Sequence, residues 1–254
     1  MSTTVAISGK GGSGKTTVAA MIVRHLVERT GRSVLAADAD PNACLGPALG
    51  LEPEMTVGEI CDQALDRKLQ TGAGTSRERA IEYAIHRAVA EAKGFDLLVM
   101  GHTEGPKCYC AVNHLLRKYL DEAGQDYAYV VIDNEAGMEH LSRRTTNAVD
   151  FLLIVTEATV VGAKTAQRIL GLSNRLPITI GERLVLWNKV EEGGAAPADG
   201  SDLPAAGSIP FDRAVLDLSI QGKSVFGLRA DSPAFQAVGR TLAELLGTAA
   251  ARAP

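Results

Sequence analysis

The chain reads VAISGKGGSGKTT over residues 5–17, and this stretch decides the fold. An apolar run leads into Gly9, and after four intervening residues comes the Gly-Lys-Thr of residues 14–16, which is the spacing of a phosphate-binding loop. Glycines let successive backbone N–H groups turn inward, because no Cβ stands in the way. The stretch therefore predicts a strand, a phosphate cradle, and a helix whose amino end faces the phosphate.

Individual residues of this loop suggest contacts with a bound nucleotide. Lys15 is placed to reach the outer phosphates, and the Thr16 hydroxyl is placed to bind Mg²⁺. The other contacts expected from the loop and the start of the helix come from Gly11, Gly12, Ser13, Gly14 and Thr17. The sequence thus predicts a Mg²⁺-dependent nucleotide site.

Length and charge limit the classes of function. A chain of 254 residues can bury one sizeable core, and we expect a single domain over residues 1–254. The formal net charge of −4 argues against broad binding of nucleic acid. No apolar run approaches the roughly 20 residues that cross a bilayer, so no membrane span is expected.

The position of the loop and the cysteine content suggest a compartment. The phosphate loop occupies the amino terminus, which leaves no room for a signal peptide, so we expect a cytoplasmic protein. Thiols stay reduced in that compartment. The four cysteines are therefore expected to be metal ligands, reactive groups or core residues rather than disulfides.

Strand and helix patterns alternate along the chain. The predicted strands are 3–8, 33–38, 96–101, 129–133, 151–155, 183–187 and, more weakly, 206–209. The predicted helices are 15–29, 56–63, 76–92, 113–122, 140–148, 163–174, 214–219 and 233–246. Because several strands are continuous apolar runs, the pattern predicts an α/β fold with a doubly wound, mainly parallel sheet of seven to eight strands, flanked by helices. Residues 191–202 are polar and rich in Gly, Ala and Pro, which predicts a flexible loop.

Acidic residues follow two of these strands. Asp38 and Asp40 come at the end of the second strand, and Asp133 ends the fourth. Active residues of such sheets lie at the carboxyl ends of the strands, so these carboxylates are well placed to hold a metal and a water molecule. An Asp-Pro turn and a helix cap are the structural alternatives.

The lysine directly after the first glycine, Lys10, resembles the deviant phosphate loop of the family that includes MinD, ParA, the arsenite-transport ATPase and the nitrogenase iron protein. The resemblance implies a P-loop ATPase that hydrolyses ATP to ADP and forms a two-fold dimer. Lys10 would then reach the nucleotide of the partner subunit, although a solvated loop lysine is the alternative.

The same resemblance implies roles for the carboxylates. Asp38 would help to hold the Mg²⁺ site, Asp40 would orient the attacking water, and Asp133 would begin a switch segment over residues 133–140. The residues that it implies in catalysis are Lys10, Lys15, Asp40 and Asp133. It also implies that Asn188 contacts adenine, with Lys189 and Pro210 beside the base, whereas Trp187 is expected in the core.

Cys108-Tyr109-Cys110 follows a stretch with Gly and Pro, which predicts a loop before a helix from about residue 113. A closed tetrahedral thiolate site needs four ligands, and one such pair supplies two. A two-fold dimer with Cys108 and Cys110 from each subunit would supply all four. Two unrelated cysteines are the alternative.

Cys-Tyr-Cys at 108–110, DNEAGMEH at 133–140 and DADPNACLG at 38–46 together resemble the CooC type of ATPase over essentially the whole chain. The resemblance implies interfacial Zn²⁺ or Ni²⁺ held by Cys108 and Cys110, and a client metalloenzyme, carbon monoxide dehydrogenase or acetyl-CoA synthase. Thiolate chemistry does not choose between the two metals. Four residues have open roles: His102 and His140 as transient ligands, Cys44 as a buried helix-start residue, and Cys61 as core.

Two rival functions stay open. An iron protein with a [4Fe–4S] cluster would take one cysteine from the switch segment, and residues 133–143 contain none. A MinD-like or ParA-like positioning ATPase would bind membrane or DNA. The carboxyl-terminal residues 241–252 carry few basic side chains, which does not favour a membrane-binding helix of that kind.

Overall fold

The computed structural model describes residues 2–65, 77–102, 108–136, 148–191, 200 and 202–252. Within these ranges, eight strands form one sheet in the order β3-β4-β2-β5-β1-β6-β7-β8. The strands are β1 Thr3–Gly9, β2 Val34–Ala39, β3 Ala90–Ala92, β4 Phe95–Val99, β5 Tyr129–Asn134, β6 Ala148–Glu157, β7 Thr179–Val190 and β8 Ala205–Pro210. Every neighbouring pair is parallel except β3 with β4. The predicted mainly parallel sheet is confirmed.

Helices cover both faces of this sheet. The α-helices of the described residues are α1 Lys15–Thr30, α2 Leu45–Leu49, α3 Val57–Leu65, α4 Arg77–Ala88, α5 Cys108–Glu122, α6 Val160–Ser173, α7 Arg213–Ile220 and α8 Pro233–Arg252. Core residues of α1 and α8 cluster on one face, and those of α3, α5 and α6 cluster on the other. The fold is therefore doubly wound, as predicted.

Burial on two faces explains the apolar strands. In β5, Val131 joins the core beneath α1, whereas its neighbour Ile132 joins the core on the opposite face. Successive side chains of a strand point to opposite sides, so a strand covered on both sides must be apolar throughout. The two aspartates at the ends of β2 and β5 are exceptions, and they lie at the carboxyl edge of the sheet.

The structure corrects several predicted bounds. The helix expected over 76–92 ends at Ala88, because the chain turns at Gly94 and returns as an antiparallel edge hairpin, β3 with β4. Helix α2 had no predicted bounds beyond a start at Cys44; it begins where the backbone N–H of Leu45 donates to Asp38. Ala148 begins β6 instead of ending a helix, while residues 140–147 lie outside the described residues.

Two further expectations concern connecting segments. Helix α5 begins at Cys108, five residues before the predicted start at 113, so both cysteines of the pair belong to the helix rather than to a loop. Of the loop predicted as flexible over 191–202, residues 192–199 and 201 lie outside the described residues. No helix in the described part of the chain is long and apolar enough to cross a membrane.

Gly9 marks a point where two strands approach closely. Its φ is +150°, and a Cβ built there would lie 2.1 Å from the Val155 carbonyl oxygen of β6. We expect Gly9→Ala to lower the free energy of unfolding by about 3 kcal/mol or more, since backbone must move. Gly31→Ala is the control, because Gly31 has φ +63° with open space around it and should cost only about 1 kcal/mol. Urea unfolding of both variants checks this, and equal losses would contradict it.

Candidate nucleotide-binding site

The glycine-rich loop connects β1 to α1 and presents the amino end of that helix. Gly12 and Gly14 have positive φ values of 78° and 92°, and Gly14 is the residue that precedes the first turn of α1. A turn hydrogen bond joins the Ser13 N–H to the Lys10 carbonyl at 3.2 Å. The first turn of α1 contains no Asp or Glu. The amino end of this 16-residue helix therefore offers unopposed backbone N–H groups to an anion.

The two lysines of the loop occupy different environments. Lys15 is 7% exposed at the start of α1, whereas Lys10 is exposed on the rim of the loop. A buried ammonium at the helix start is suited to a phosphate of the same chain's nucleotide. An exposed one is free to meet a group outside the chain.

Two buried carboxylates lie beside this loop. Asp38 and Asp133 are register partners on the adjacent strands β2 and β5, and they are 0% and 1% exposed. Asp38 accepts hydrogen bonds from the backbone N–H groups of Leu45, at 2.7 Å, and Asp40, at 3.1 Å. Neither oxygen of Asp133 accepts a hydrogen bond of normal geometry from any described residue, although the Thr16 hydroxyl lies close to it.

Burial changes the acidity of both carboxylates. It raises the pKa of Asp38 to about 7, and the charge of Asp133 adds to that increase. It also raises the pKa of Asp133 to about 6, while the Thr16 hydroxyl and the Lys15 ammonium act in the opposite direction. Adjacent desolvated carboxylates with open lone pairs are chemically suited to a hard divalent cation. The residues present therefore fit Mg²⁺.

Asp40 stands apart from the buried pair. It is only partly buried, and its Oδ1 accepts hydrogen bonds from the backbone N–H and side-chain amide of Asn42, at 2.9 and 2.8 Å. These contacts hold the turn between β2 and α2, where Ala43 has a φ of +52°. The structure thus places Asp40 on a turn beside Asp38.

The residues predicted around the base do come together. Asn188, Lys189 and Pro210 line one cavity of about 250 Å³ with Gly12 and Gly14 of the loop. The Asn188 amide donates from Nδ2 to the Ser13 carbonyl at 2.8 Å, and its contact with adenine stays a prediction. Trp187 is 4% exposed, which confirms the prediction that it is a core residue.

The structure places the cysteines in different settings. Cys108 begins α5 and Cys110 lies in its first turn. Cys61 is buried, as predicted. Cys44 precedes α2 as expected but is exposed rather than buried, with its Sγ donating to the Asn42 carbonyl at 3.5 Å. Local desolvation, and then the nearby carboxylates, raise the pKa of the Cys44 thiol.

The possible histidine ligands contribute little to the described site. His102 is exposed after β4, and His140 lies outside the described residues, as do residues 137–139 of the predicted switch. Within the described ranges, no group of three or more His, Cys, Asp or Glu side chains is arranged to hold a metal ion.

Glu157 is a residue of the site that the sequence reasoning missed. It ends β6, and its Oε1 accepts a hydrogen bond from the Lys189 ammonium at 2.9 Å. Its position at the carboxyl end of an apolar strand is the same signal that identified the aspartates. That signal was available in the sequence at 151–157.

Residues 4–225 match the family described as the CobQ/CobB/MinD/ParA nucleotide binding domain. An uncharacterized ATP-binding protein of Methanocaldococcus jannaschii is 38% identical over 240 residues, which cover 92% of this chain and 94% of that protein. The carbon monoxide dehydrogenase accessory protein CooC of Rhodospirillum rubrum is 33% identical over 240 residues, which cover 88% and 89% of the two chains.

Solved structures share the fold. MinD of Pyrococcus furiosus, a cell division ATPase, superposes with a TM-score of 0.71 at 21% identity and covers 98% of this chain and 100% of its own. MinD of Pyrococcus horikoshii, complexed with Mg-ADP, superposes with a TM-score of 0.70 at 22% identity and covers 100% and 99%. These identities are low, so the likeness concerns the fold alone.

The buried Asp133 carboxylate generates a pH-dependent prediction. An acid with a higher pKa when folded than when unfolded binds more protons in the folded state, so the wild type should lose stability as pH rises from about 4 to about 6. Asp133→Asn removes that loss. In EDTA, we expect this variant to be more stable than wild type by about 1–3 kcal/mol at pH 8, and by roughly half as much at pH 5.

Urea unfolding at the two pH values measures this difference. Added Mg²⁺ should stabilise the wild type and not the variant, because binding to the folded state alone raises stability. A variant that is less stable than wild type at both pH values would contradict the assignment.

Proposed function

The chain belongs to the CobQ/CobB/MinD/ParA family of P-loop ATPases, and we propose that it is a nucleotide-dependent dimer that handles Ni²⁺ or Zn²⁺ for a client metalloenzyme. The observation that carries the proposal is the combination, in one chain, of a phosphate loop that contains Lys10 and a Cys-x-Cys pair at the start of α5. The 33% identity to CooC supports it.

The nucleotide lies along the loop, with its phosphates at the amino end of α1. Backbone N–H groups of the loop and of the first turn of α1 surround the phosphates, and Lys15 neutralises part of their charge. Thr16, Asp38 and Asp133 would hold Mg²⁺. That ion supplies charge stabilisation at the transferred phosphoryl group when it is bound.

Attack by water on the terminal phosphate requires a hydrogen-bond acceptor that orients the water at the open side of the loop. Asp40 fits this role because it is partly solvated and its turn holds it beside the buried pair. Lys10 of the partner subunit approaches the same phosphates from outside, since its own loop leaves it exposed. Loss of the terminal phosphate then releases the segment that begins at Asp133.

The metal cargo binds where two copies of α5 meet. Cys108 is the first residue of α5 and Cys110 comes two residues later, so one short segment of each subunit supplies both proposed ligands. Helix α5 follows β4, and β4 ends beside Asp38, where the Met100 N–H donates to the Asp38 carbonyl at 2.8 Å. The strand that precedes the cysteine pair therefore ends beside Asp38, one of the proposed Mg²⁺ ligands.

The thiolate ligands and the similarity to CooC both favour a metalloenzyme as the client. A site of four thiolates on a two-fold axis holds a soft or borderline metal that can be passed to another protein. The similarity to an accessory protein for carbon monoxide dehydrogenase favours that enzyme, or acetyl-CoA synthase, as the client. A positioning ATPase is the second candidate, and 27% identity over 171 residues to the septum site-determining protein MinD of Bacillus subtilis favours it.

The cysteine pair provides a direct test. We expect reduced wild type to bind one Zn²⁺ or Ni²⁺ per dimer, and Cys108→Ser with Cys110→Ser to bind none, because two ligands per subunit are lost. Metal analysis with light scattering measures both quantities. Cys44→Ser is the control, since Cys44 is exposed but lies outside the pair. Unchanged metal binding in the double variant would exclude the metal role and leave the positioning ATPase.

Lys10 provides a second test. We expect Lys10→Gln to bind MgATP within about threefold of wild type but to lower kcat by about 100-fold or more, because one charged donor at the transition state is lost. The variant should also fail to dimerise with MgATP. Lys93→Gln, an exposed lysine in the β3–β4 turn, is the control. Normal turnover by a monomeric Lys10→Gln protein would contradict the proposal.

A further inference from the structure

Two consecutive side chains at the end of β7 hold two consecutive carbonyls of the phosphate loop. The Asn188 amide donates from Nδ2 to the Ser13 carbonyl at 2.8 Å. The Lys189 ammonium donates to the Gly12 carbonyl, also at 2.8 Å. These contacts join residues that are 175 and 177 positions apart in the chain, so they depend on the folded sheet.

A β-bulge explains how neighbouring residues of one strand reach the same loop. Trp187 pairs with Ser208 and Val190 pairs with Pro210, so two residues of β7 stand opposite a single residue of β8. Lys189 has a φ of +56°, which a residue other than glycine rarely adopts. Adjacent side chains of a regular strand point to opposite faces, and a bulge redirects one of them. The strained backbone at Lys189 therefore serves to aim its ammonium at the loop.

Glu157 completes the arrangement from the neighbouring strand. It is the register partner of Asn188 in β6, and its Oε1 lies 2.9 Å from the Lys189 Nζ. The ammonium is therefore fixed between a carboxylate and a loop carbonyl. Both charged side chains are a little under half exposed, at 42% and 47%, so salt should weaken the pair.

Holding the carbonyls has a consequence for the loop's opposite side. A peptide carbonyl and the N–H of the next residue point in roughly opposite directions, so the Ser13 carbonyl drawn toward β7 turns the Gly14 N–H toward the phosphate side. The Gly12 carbonyl belongs to the same peptide as the Ser13 N–H, so its contact with Lys189 holds that N–H in its turn with the Lys10 carbonyl. Gly14 shows how closely the strand approaches, because a Cβ there would lie 2.4 Å from the Asn188 Nδ2. The loop shape is thus set in part by residues outside its own motif.

We propose that Asn188 and Lys189 are positioning residues that preorganise the phosphate loop through the Ser13 and Gly12 carbonyls, with Glu157 fixing Lys189. The inference rests on the proposed nucleotide site and deepens it. It gives these residues an effect on the triphosphate moiety of the ligand, in addition to the contacts with the base that the sequence predicts. The effect that these residues have through the loop does not depend on the base. It should therefore also appear with a ligand that has no base.

Binding of three Mg²⁺ complexes tests this assignment: ATP, GTP and inorganic tripolyphosphate. We expect Lys189→Met to weaken all three by a similar factor, roughly tenfold, because a charge-assisted hydrogen bond to the loop is lost. Glu157→Gln should weaken all three by a smaller common factor. Lys189→Arg should restore most of the loss, since a guanidinium can still donate to the carbonyl.

Steady-state kinetics adds a readout that a general loss of structure would not give. A loop that is less well organised for binding raises KM, so we expect KM for MgATP to rise with kcat within about twofold. The matched control is Lys118→Met, because Lys118 pairs with Glu82 at nearly the same exposure, 40% and 41%, on α5. It should leave the affinity for all three ligands unchanged.

Three outcomes would overturn the inference. Lys189→Met could weaken ATP alone and leave tripolyphosphate unchanged, which would assign the residue to the base. Lys189→Met could also leave the affinity for all three ligands unchanged. Finally, Lys189→Arg could weaken binding as much as Lys189→Met does. If the proposal of a nucleotide site were itself wrong, the wild type would bind none of the three complexes, which differs from each of these outcomes.

Discussion

The site depends on one electrostatic constraint, the side-by-side burial of Asp38 and Asp133 on neighbouring parallel strands. Each carboxylate is desolvated, and the charge of Asp133 makes ionisation of Asp38 more costly. A divalent cation, or a proton on one of the two, offsets that cost. β5 also pairs in parallel with β1, so the carboxyl end of β1 lies beside that of β5. The phosphate loop, which follows β1, is therefore at the same edge of the sheet as the two carboxylates. The fit of this edge to a divalent cation thus follows from the topology of the sheet.

A glycine-rich loop has little conformational preference of its own, so its shape must come from its surroundings. Here those surroundings are the ends of β6 and β7. Gly9 lies against the Val155 carbonyl, and the Gly12 and Ser13 carbonyls accept hydrogen bonds from β7. The carboxyl edge therefore has two parts: β2 and β5 carry the carboxylates, and β6 and β7 shape the phosphate cradle. β1 lies between them and links the two.

The features predicted from the sequence were those that depend on local patterns of residues. Continuous apolar runs identified the buried parallel strands, and glycine spacing identified the loop. The edge strand Ala90–Ala92 was missed because three residues that continue a helical pattern give no strand signal, and the hairpin turn decides their conformation. Cys44 was expected to be buried, yet the turn that holds Asp40 leaves it exposed. The contacts of Lys189 were not predictable, because they cross 177 positions and require a bulge.

Proton release on binding tests the central claim most directly. Calorimetric titration of the whole protein with preformed MgATP, in buffers of different ionisation enthalpy, counts the protons displaced. If Asp38 and Asp133 share a proton that the bound Mg²⁺ replaces, roughly half to one proton should be released per nucleotide between pH 6.5 and 7, falling towards zero by pH 9. Binding with a heat that is independent of buffer throughout this range would contradict the account.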